Sequence, residues 1–209
     1  MSLNFESRLL GLQEKMEEID LNLVVYGSCQ NFQYLTGILI DWRRGIDLGS
    51  EANNIFVPQK GAPILTLAED FSQYASNTWI KDVRLLKKEK SYTELIMKVI
   101  SDLNLKGKKV GLGDHLWGLT MVEIARVLKG ADFYKTEGLM NHLRMIKDDG
   151  EIERLRKAAH LTDEVMEVLK DERISKHISI PIQSGSDKIL KKVNRRYTAS
   201  YLRRLFKRL

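Results

Sequence analysis

The chain has 209 residues, of which 43% are hydrophobic, which is enough for one packed domain and a short addition. It contains no apolar run of about 18 residues and does not open on a basic segment followed by an apolar stretch. We therefore expect neither a membrane span nor a signal peptide. The lone cysteine, Cys29, excludes an internal disulfide and favours a cytoplasmic protein.

The net charge of +6 is distributed unevenly along the chain. Residues 176–209 contain ten basic residues and a single acidic one, Asp187, so this segment carries +9 and residues 1–175 carry −3. A shift of this kind marks a boundary in composition near residue 175. We therefore treat the basic tail separately from the rest of the chain.

Hydrophobic periodicity predicts alternating helices and strands up to residue 144. Helices are predicted over residues 3–20, 70–77, 91–103, 119–128 and 137–144, and strands over residues 21–26, 38–42, 51–58, 64–67, 80–86, 109–112 and 131–134. The Gly-Ala-Pro turn at 61–63 predicts a hairpin, which places antiparallel strands in the sheet. The sequence therefore predicts an α/β fold, with a mixed sheet flanked by helices.

A long helix is predicted to follow Asp148. Asp148 suits the N-cap, and Glu151 lies three residues later, as in a capping box. Apolar or small residues then recur on one side of the helix, at positions 152, 155, 159, 162, 166 and 169, and a second line at 158, 161, 165 and 168 widens this face. A face of this width requires a large partner surface.

Two motifs resemble the creatinase, prolidase and aminopeptidase P family of "pita-bread" metallopeptidases. Residues 143–166 resemble the segment that joins the two domains of that family, with its "LRxIK" start, acidic cap and "EIxxxRKAAxLTDE"-like helix. Residues 31–37 resemble the family's "NxxYLTG" signature, in which a short helix ends at a glycine. The resemblance covers residues of about 3–172 and implies an N-terminal domain over 1–140 and a hinge helix over 141–173.

The resemblance implies that the family's reaction takes place in a domain that this chain does not match. The family cleaves peptide bonds next to proline with two metal ions, held by two Asp, one His and two Glu of a C-terminal domain. No residue of this chain matches those positions, so we expect no catalytic residues, no metal ligands and no cofactor in it. The expected function is that of a non-catalytic domain that caps substrate and forms oligomers.

The family also suggests where contacts occur. We expect a homo-oligomer through the hinge helix or a face of the domain. Residues of this domain reach a neighbouring active site in some family members, so Trp42, Arg43 and Arg44 are candidates for substrate contact, because an arginine pair suits a substrate carboxylate. The alternative is a solvated loop with a half-buried tryptophan.

The tail, over residues 174–209, has a different resemblance. Its run His-Ile-Ser-Ile-Pro-Ile-Gln-Ser-Gly-Ser and the later Arg-Arg-Tyr-Thr are similar to one strand–helix unit of radical-SAM tRNA methylthiotransferases, with Val193 where a methionine is usual. Two unrelated families would then be joined near residues 173–176, as in a truncated or fusion protein. With a single cysteine the chain lacks the three thiolates of a [4Fe–4S] site, so we expect no radical chemistry.

The charge of the tail supports an alternative function as an RNA- or polyanion-binding module. The candidate contacts are the basic residues of the predicted helices and of the turn between them: Lys191, Lys192, Arg195, Arg196, Arg203 and Arg204. The final helix, with apolar residues on one side and basic residues on the other, also suits a membrane surface or an acidic partner. The simplest alternative is a barrel fragment that keeps its solvent and core faces.

Overall fold

The computed structural model describes residues 4–40, 51–113, 115–136, 138–168, 171, 173 and 182–206. The chain divides into two compact units, Met1–Gly150 and Glu151–Leu209.

A six-stranded mixed sheet forms the centre of the first unit. Its strands are β1 (Leu23–Gly27), β2 (Asn54–Pro58), β3 (Ile64–Ala68), β4 (Asp82–Leu86), β5 (Lys109–Leu112) and β6 (Asp132–Lys135), in the order β4-β3-β2-β1-β5-β6. β1/β2 and β2/β3 pair antiparallel, whereas β1/β5, β3/β4 and β5/β6 pair parallel. The predicted α/β class, mixed sheet and hairpin are therefore confirmed.

Helices cover both faces of this sheet. They are α1 (Phe5–Glu18), α2 (Gln30–Thr36), α3 (Tyr92–Asp102), α4 (Gly118–Val127) and α5 (Asn141–Met145), with a 3-10 helix over Glu69–Asn77. One core cluster joins α1 and α2 to the sheet through Leu12, Phe32 and Tyr26, and the other joins α3 and α4 through Val99 and Ile124. The alternation of side chains along β1, from Val24 to Val25, supplies both clusters.

Local sequence accounts for where several helices begin or end. The Asn4 side chain accepts a hydrogen bond from the Ser7 N–H (3.0 Å) and caps α1. Gly37 ends α2 at φ +78°, a conformation that glycine adopts without a steric penalty. Ser91 occupies the N-cap of α3 as expected, but its side chain makes no capping hydrogen bond. Residues 38–40, part of the strand predicted over 38–42, are not in a strand, and residues 41–42 lie outside the described part.

The second unit contains most of the long helix and the described part of the tail. α6 (Asp149–Val168) begins directly after Asp148, so its start agrees with the predicted N-cap position. α7 (Asp187–Lys192) and α8 (Ala199–Phe206) follow, and they bury Leu190, Ala199 and Leu202. The strand predicted for the start of the tail falls almost entirely outside the described residues.

Candidate functional site

Hydrogen bonds and an ion pair connect α1, α2, α5 and the residue that precedes α6. We call this region the hinge junction and define it by Arg8, Asn31, Tyr34, Leu143, Arg144 and Asp148. All of these residues belong to the first unit. The junction anchors residues 141–148, from which α6 continues.

Arg8 is the central residue of the hinge junction and is only 7% exposed. Its Nη1 donates a hydrogen bond to the Tyr34 carbonyl oxygen (2.9 Å), and its Nη2 lies 3.7 Å from Oδ2 of Asp148. The guanidinium carbon also lies 3.9 Å from the centroid of the Tyr34 ring and 5.2 Å from that of Phe5. A buried cation requires such partners, since desolvation without them is costly.

Two further contacts fasten α5 to α2. The Tyr34 hydroxyl donates to the Leu143 carbonyl oxygen (3.1 Å), and Nη1 of Arg144 donates to Oδ1 of Asn31 (3.2 Å). Gly11 of α1 permits close packing here, because a Cβ at that position would lie 2.6 Å from Cδ2 of Leu143. The hinge junction therefore offers anchoring contacts rather than a reactive group.

A second polar cluster holds the start of β2. The hydroxyl of the half-buried Tyr92 donates to the Glu51 carbonyl oxygen (2.7 Å) and lies 2.9 Å from Oγ1 of Thr120, while Nδ2 of Asn54 donates to it (3.1 Å). Burial, more than any neighbouring charge, raises the pKa of Tyr92 above its ordinary value. A hydroxyl kept neutral in this way serves as a structural donor.

The candidates for substrate contact, Trp42, Arg43 and Arg44, lie outside the described residues and stay a prediction. Sequence reasoning did not single out Arg8. The available signal was its position: Arg8 lies four residues before Leu12, in line with the apolar side of α1. An arginine within such a stripe indicates a buried and partnered cation.

All six basic candidates of the tail are exposed. Lys191 and Lys192 end α7, Arg203 and Arg204 belong to α8, and the remaining two, Arg195 and Arg196, lie on the turn between the helices. The Asp187 carboxylate accepts a hydrogen bond from the Ala199 N–H (2.6 Å) and so connects the two helices.

In the part of the chain that the structure describes, no three His, Cys, Asp or Glu side chains are grouped so that they could hold a metal ion. None of the described helices is both long and apolar enough to cross a membrane.

Comparison with known families assigns the first unit. Residues 8–146 match the Creatinase/Prolidase N-terminal domain, which is more than half of the chain. The chain therefore belongs to the creatinase/prolidase N-terminal domain family.

Solved structures with a similar fold come from the same class of protein. An Xaa-Pro dipeptidase from Bacillus anthracis superposes with a TM-score of 0.60 at 19% identity, over 79% of this chain and 43% of that one. A prolidase from Thermococcus sibiricus superposes with a TM-score of 0.65 at 17% identity, over 81% of this chain and 44% of that one. The Creatinase/Prolidase N-terminal domain of an X-PRO dipeptidase from Streptococcus pyogenes superposes with a TM-score of 0.51 at 18% identity, over 67% of this chain and 98% of that one. Identities this low show the fold alone.

Curated relatives match over shorter segments. The threonylcarbamoyladenosine tRNA methylthiotransferase MtaB of Bacillus subtilis is 49% identical over 45 residues, which is 21% of this chain and 10% of MtaB. The tRNA-2-methylthio-N(6)-dimethylallyladenosine synthase of Thermosipho melanesiensis is 42% identical over 74 residues, or 33% of this chain and 17% of that protein. The chain thus spans less than a fifth of either relative.

Proposed function

We propose that residues 8–146 form the non-catalytic, substrate-capping and oligomerisation domain of an Xaa-Pro dipeptidase-like metallopeptidase that acts in the cytoplasm. The supporting observation is the extent of the likeness: the chain aligns with 98% of an isolated N-terminal domain but with only 43% of a whole dipeptidase. The hinge junction provides a buried anchor where that domain continues into α6.

The absence of catalysis is tested with the purified chain and an Xaa-Pro dipeptide. We expect no hydrolysis above the metal-only blank when Mn²⁺ or Co²⁺ is added, because two bridged metal ions require several carboxylates at one place. A full-length prolidase at the same concentration is the positive control. Metal-dependent turnover that a chelator abolishes would contradict the proposal.

Oligomer formation is tested separately by light scattering coupled to size exclusion. We expect the apparent mass to rise with protein concentration, because α6 carries an apolar face that a soluble protein covers. A constant monomer mass over a hundredfold range of concentration contradicts this part of the proposal.

The capping role assigns Arg43 and Arg44 to a substrate carboxylate and Trp42 to its apolar part. Calorimetric titration with an Xaa-Pro dipeptide is expected to show binding that weakens about tenfold in Arg43→Gln/Arg44→Gln, since charge-assisted hydrogen bonds are lost. The matched control is Lys106→Gln/Lys129→Gln, which removes the same charge from two exposed positions. If both double variants bind the dipeptide with equal affinity, Arg43 and Arg44 do not contact the substrate carboxylate.

The tail carries a second proposal, a polyanion-binding surface. Its support is that the six basic side chains are exposed while Leu190, Ala199 and Leu202 are buried. Fluorescence anisotropy with a labelled single-stranded RNA is expected to show affinity that falls steeply with salt, with a logarithmic slope of about −0.7 for each phosphate contact. Arg203→Gln/Arg204→Gln should reduce this slope, whereas Lys106→Gln/Lys129→Gln should leave it unchanged. Salt-independent binding contradicts this function.

A further inference from the structure

The long helix α6 presents an apolar surface that the described part of its own unit does not cover. Leu155, Leu161 and Val165 are 59%, 50% and 57% exposed. The small residues Ala158 and Ala159 lie between them on the same side of the helix. The described helices of the tail, α7 and α8, therefore leave these side chains exposed, and covering large apolar side chains is favourable.

The charges beside this surface identify a partner of matching chemistry. Leu155, Ala159 and Thr162 recur by four and three residues and form a seam along α6. Arg156 and Asp163 are seven residues apart, so they lie on the same edge of the seam, two turns from each other. One edge thus carries a cation in the first half of the helix and an anion in the second half.

An edge of this kind is complementary to itself when one helix is reversed. In an antiparallel pair, the same edges of the two helices face each other, so Arg156 of each helix meets Asp163 of the other. The seam then places Ala159 opposite Thr162, and these small side chains allow a close approach. The antiparallel direction also sets each helix dipole against the opposite end of its partner.

A parallel pair of α6 helices would be destabilised by repulsion between the acidic residues at the two helix starts. Asp148, Asp149, Glu151 and Glu153 crowd the beginning of α6, and a parallel arrangement would bring two such clusters side by side. Like charges at this spacing repel. The charge distribution therefore favours the antiparallel direction.

We propose that α6 is a homodimerisation element, which pairs antiparallel with α6 of a second copy of this chain about a two-fold axis near residue 160. This inference deepens the oligomer proposed above and rests on it. The proposed interface consists of the seam of Leu155, Ala159 and Thr162 and of two reciprocal Arg156–Asp163 ion pairs.

A charge-reversal cycle tests the pairing by sedimentation equilibrium. Arg156→Glu and Asp163→Arg should each weaken dimerisation about tenfold, because each variant converts both ion pairs into like-charge contacts. The double variant Arg156→Glu/Asp163→Arg should restore the association constant to within about threefold of the original. Restoration is specific to a direct pair and would not follow from damage to the helix.

Matched controls separate the seam from general effects. Lys157→Glu and Glu164→Lys change charge at the same seven-residue spacing but on the opposite side of α6, and they should leave association unchanged. Leu155→Ser should reduce dimerisation, whereas Leu10→Ser, at a side chain of equal exposure (59%) on α1, should not. A dimer that is indifferent to both the charge cycle and Leu155→Ser overturns the pairing while the oligomer stands, and a strict monomer overturns both.

A distance measurement tests direction. Spin labels introduced through Glu153→Cys, on the side of α6 away from the seam, should lie about 22 Å apart along the axis of an antiparallel dimer. The native Cys29 is buried and does not compete for the label. Labels on the outer sides of a parallel pair have no offset along the axis, so a distance equal to their lateral separation alone would show a parallel pair and overturn the proposed direction.

Discussion

Arg8 contacts Tyr34 in two ways at once: its guanidinium lies 3.9 Å from the centre of the ring, and it donates a hydrogen bond of 2.9 Å to the carbonyl oxygen of the same residue. Tyr34 in turn donates through its hydroxyl to Leu143 of α5. One buried cation and one aromatic ring thus connect three helices. The stability of residues 141–148 should depend on this pair.

Replacing Arg8 should destabilise the first unit. We expect Arg8→Met to lower the free energy of unfolding by about 1–3 kcal/mol, because it leaves the Tyr34 carbonyl oxygen without this donor and removes the contact with the ring. Arg8→Lys should also destabilise, since an ammonium cannot replace the planar fork of guanidinium donors. Urea unfolding followed by circular dichroism measures both changes.

A surface variant provides the control for Arg8. Lys60 forms an ion pair of 2.7 Å with Glu17, but both side chains are more than half exposed. Lys60→Met should therefore change stability by less than about 0.5 kcal/mol. An equally small effect of Arg8→Met would show that the hinge junction does not hold α5 in place.

A side chain at Gly37 should destabilise the fold. Its φ of +78° is disfavoured for other residues, and an added Cβ would lie 2.9 Å from Cζ of Phe5. We expect Gly37→Ala to cost about 2 kcal/mol in the free energy of unfolding, from backbone strain together with the displacement of Phe5. Thermal unfolding provides the measurement. Gly118→Ala, in open space at the first residue of α4, should stay within about 0.5 kcal/mol of the original and serves as control.

Tyr92 should make the fold sensitive to alkaline pH. Burial raises its pKa in the folded state above the ordinary value of 10.0, so the unfolded chain loses the hydroxyl proton first. The folded state then binds more protons than the unfolded state, and stability is complete below pH 10 and falls as the pH rises above it. We expect Tyr92→Phe to flatten this alkaline decline, at the expense of the hydrogen bond to Glu51.

The pH dependence is measured as the urea midpoint between pH 8 and pH 11, a range that brackets the ordinary tyrosine pKa of about 10. Tyr134→Phe, at a side chain that is 44% exposed, should retain the full alkaline decline. If Tyr92→Phe and the original protein decline in parallel, the buried hydroxyl is not the group responsible.

Asp187 should control the order of α8. Its carboxylate accepts the Ala199 N–H at the first residue of that helix, and Asp187→Ala leaves this donor unsatisfied. We expect amide exchange in residues 199–206 to accelerate about fivefold, which corresponds to the roughly 1 kcal/mol of a typical helix cap. Asp187→Asn keeps an acceptor oxygen and should restore part of the protection. Identical exchange in Asp187→Ala and the original protein contradicts this role.

The sequence by itself determined the fold class, because the alternation of helical and strand periodicity depends only on which residues are apolar. The buried run of β1, the hairpin at 61–63 and the glycine that ends α2 each followed from local chemistry. The start of the long helix at Asp148 was likewise readable from its acidic first turn. The strand predicted from residue 38 was wrong over residues 38–40: apolar character there reflects burial of Ile38 and Ile40 without pairing in the sheet.

Only the tertiary structure decided the hinge junction and the strand order. Arg8 and Asp148 are 140 positions apart, and no local sequence pattern predicts that their side chains lie 3.7 Å apart. The same holds for the half-buried Tyr92, whose hydroxyl donates to the carbonyl oxygen of Glu51, 41 positions earlier. Local propensity acts over one or two turns, whereas a buried cation or hydroxyl finds its partners only when the packed helices and sheet bring distant segments together.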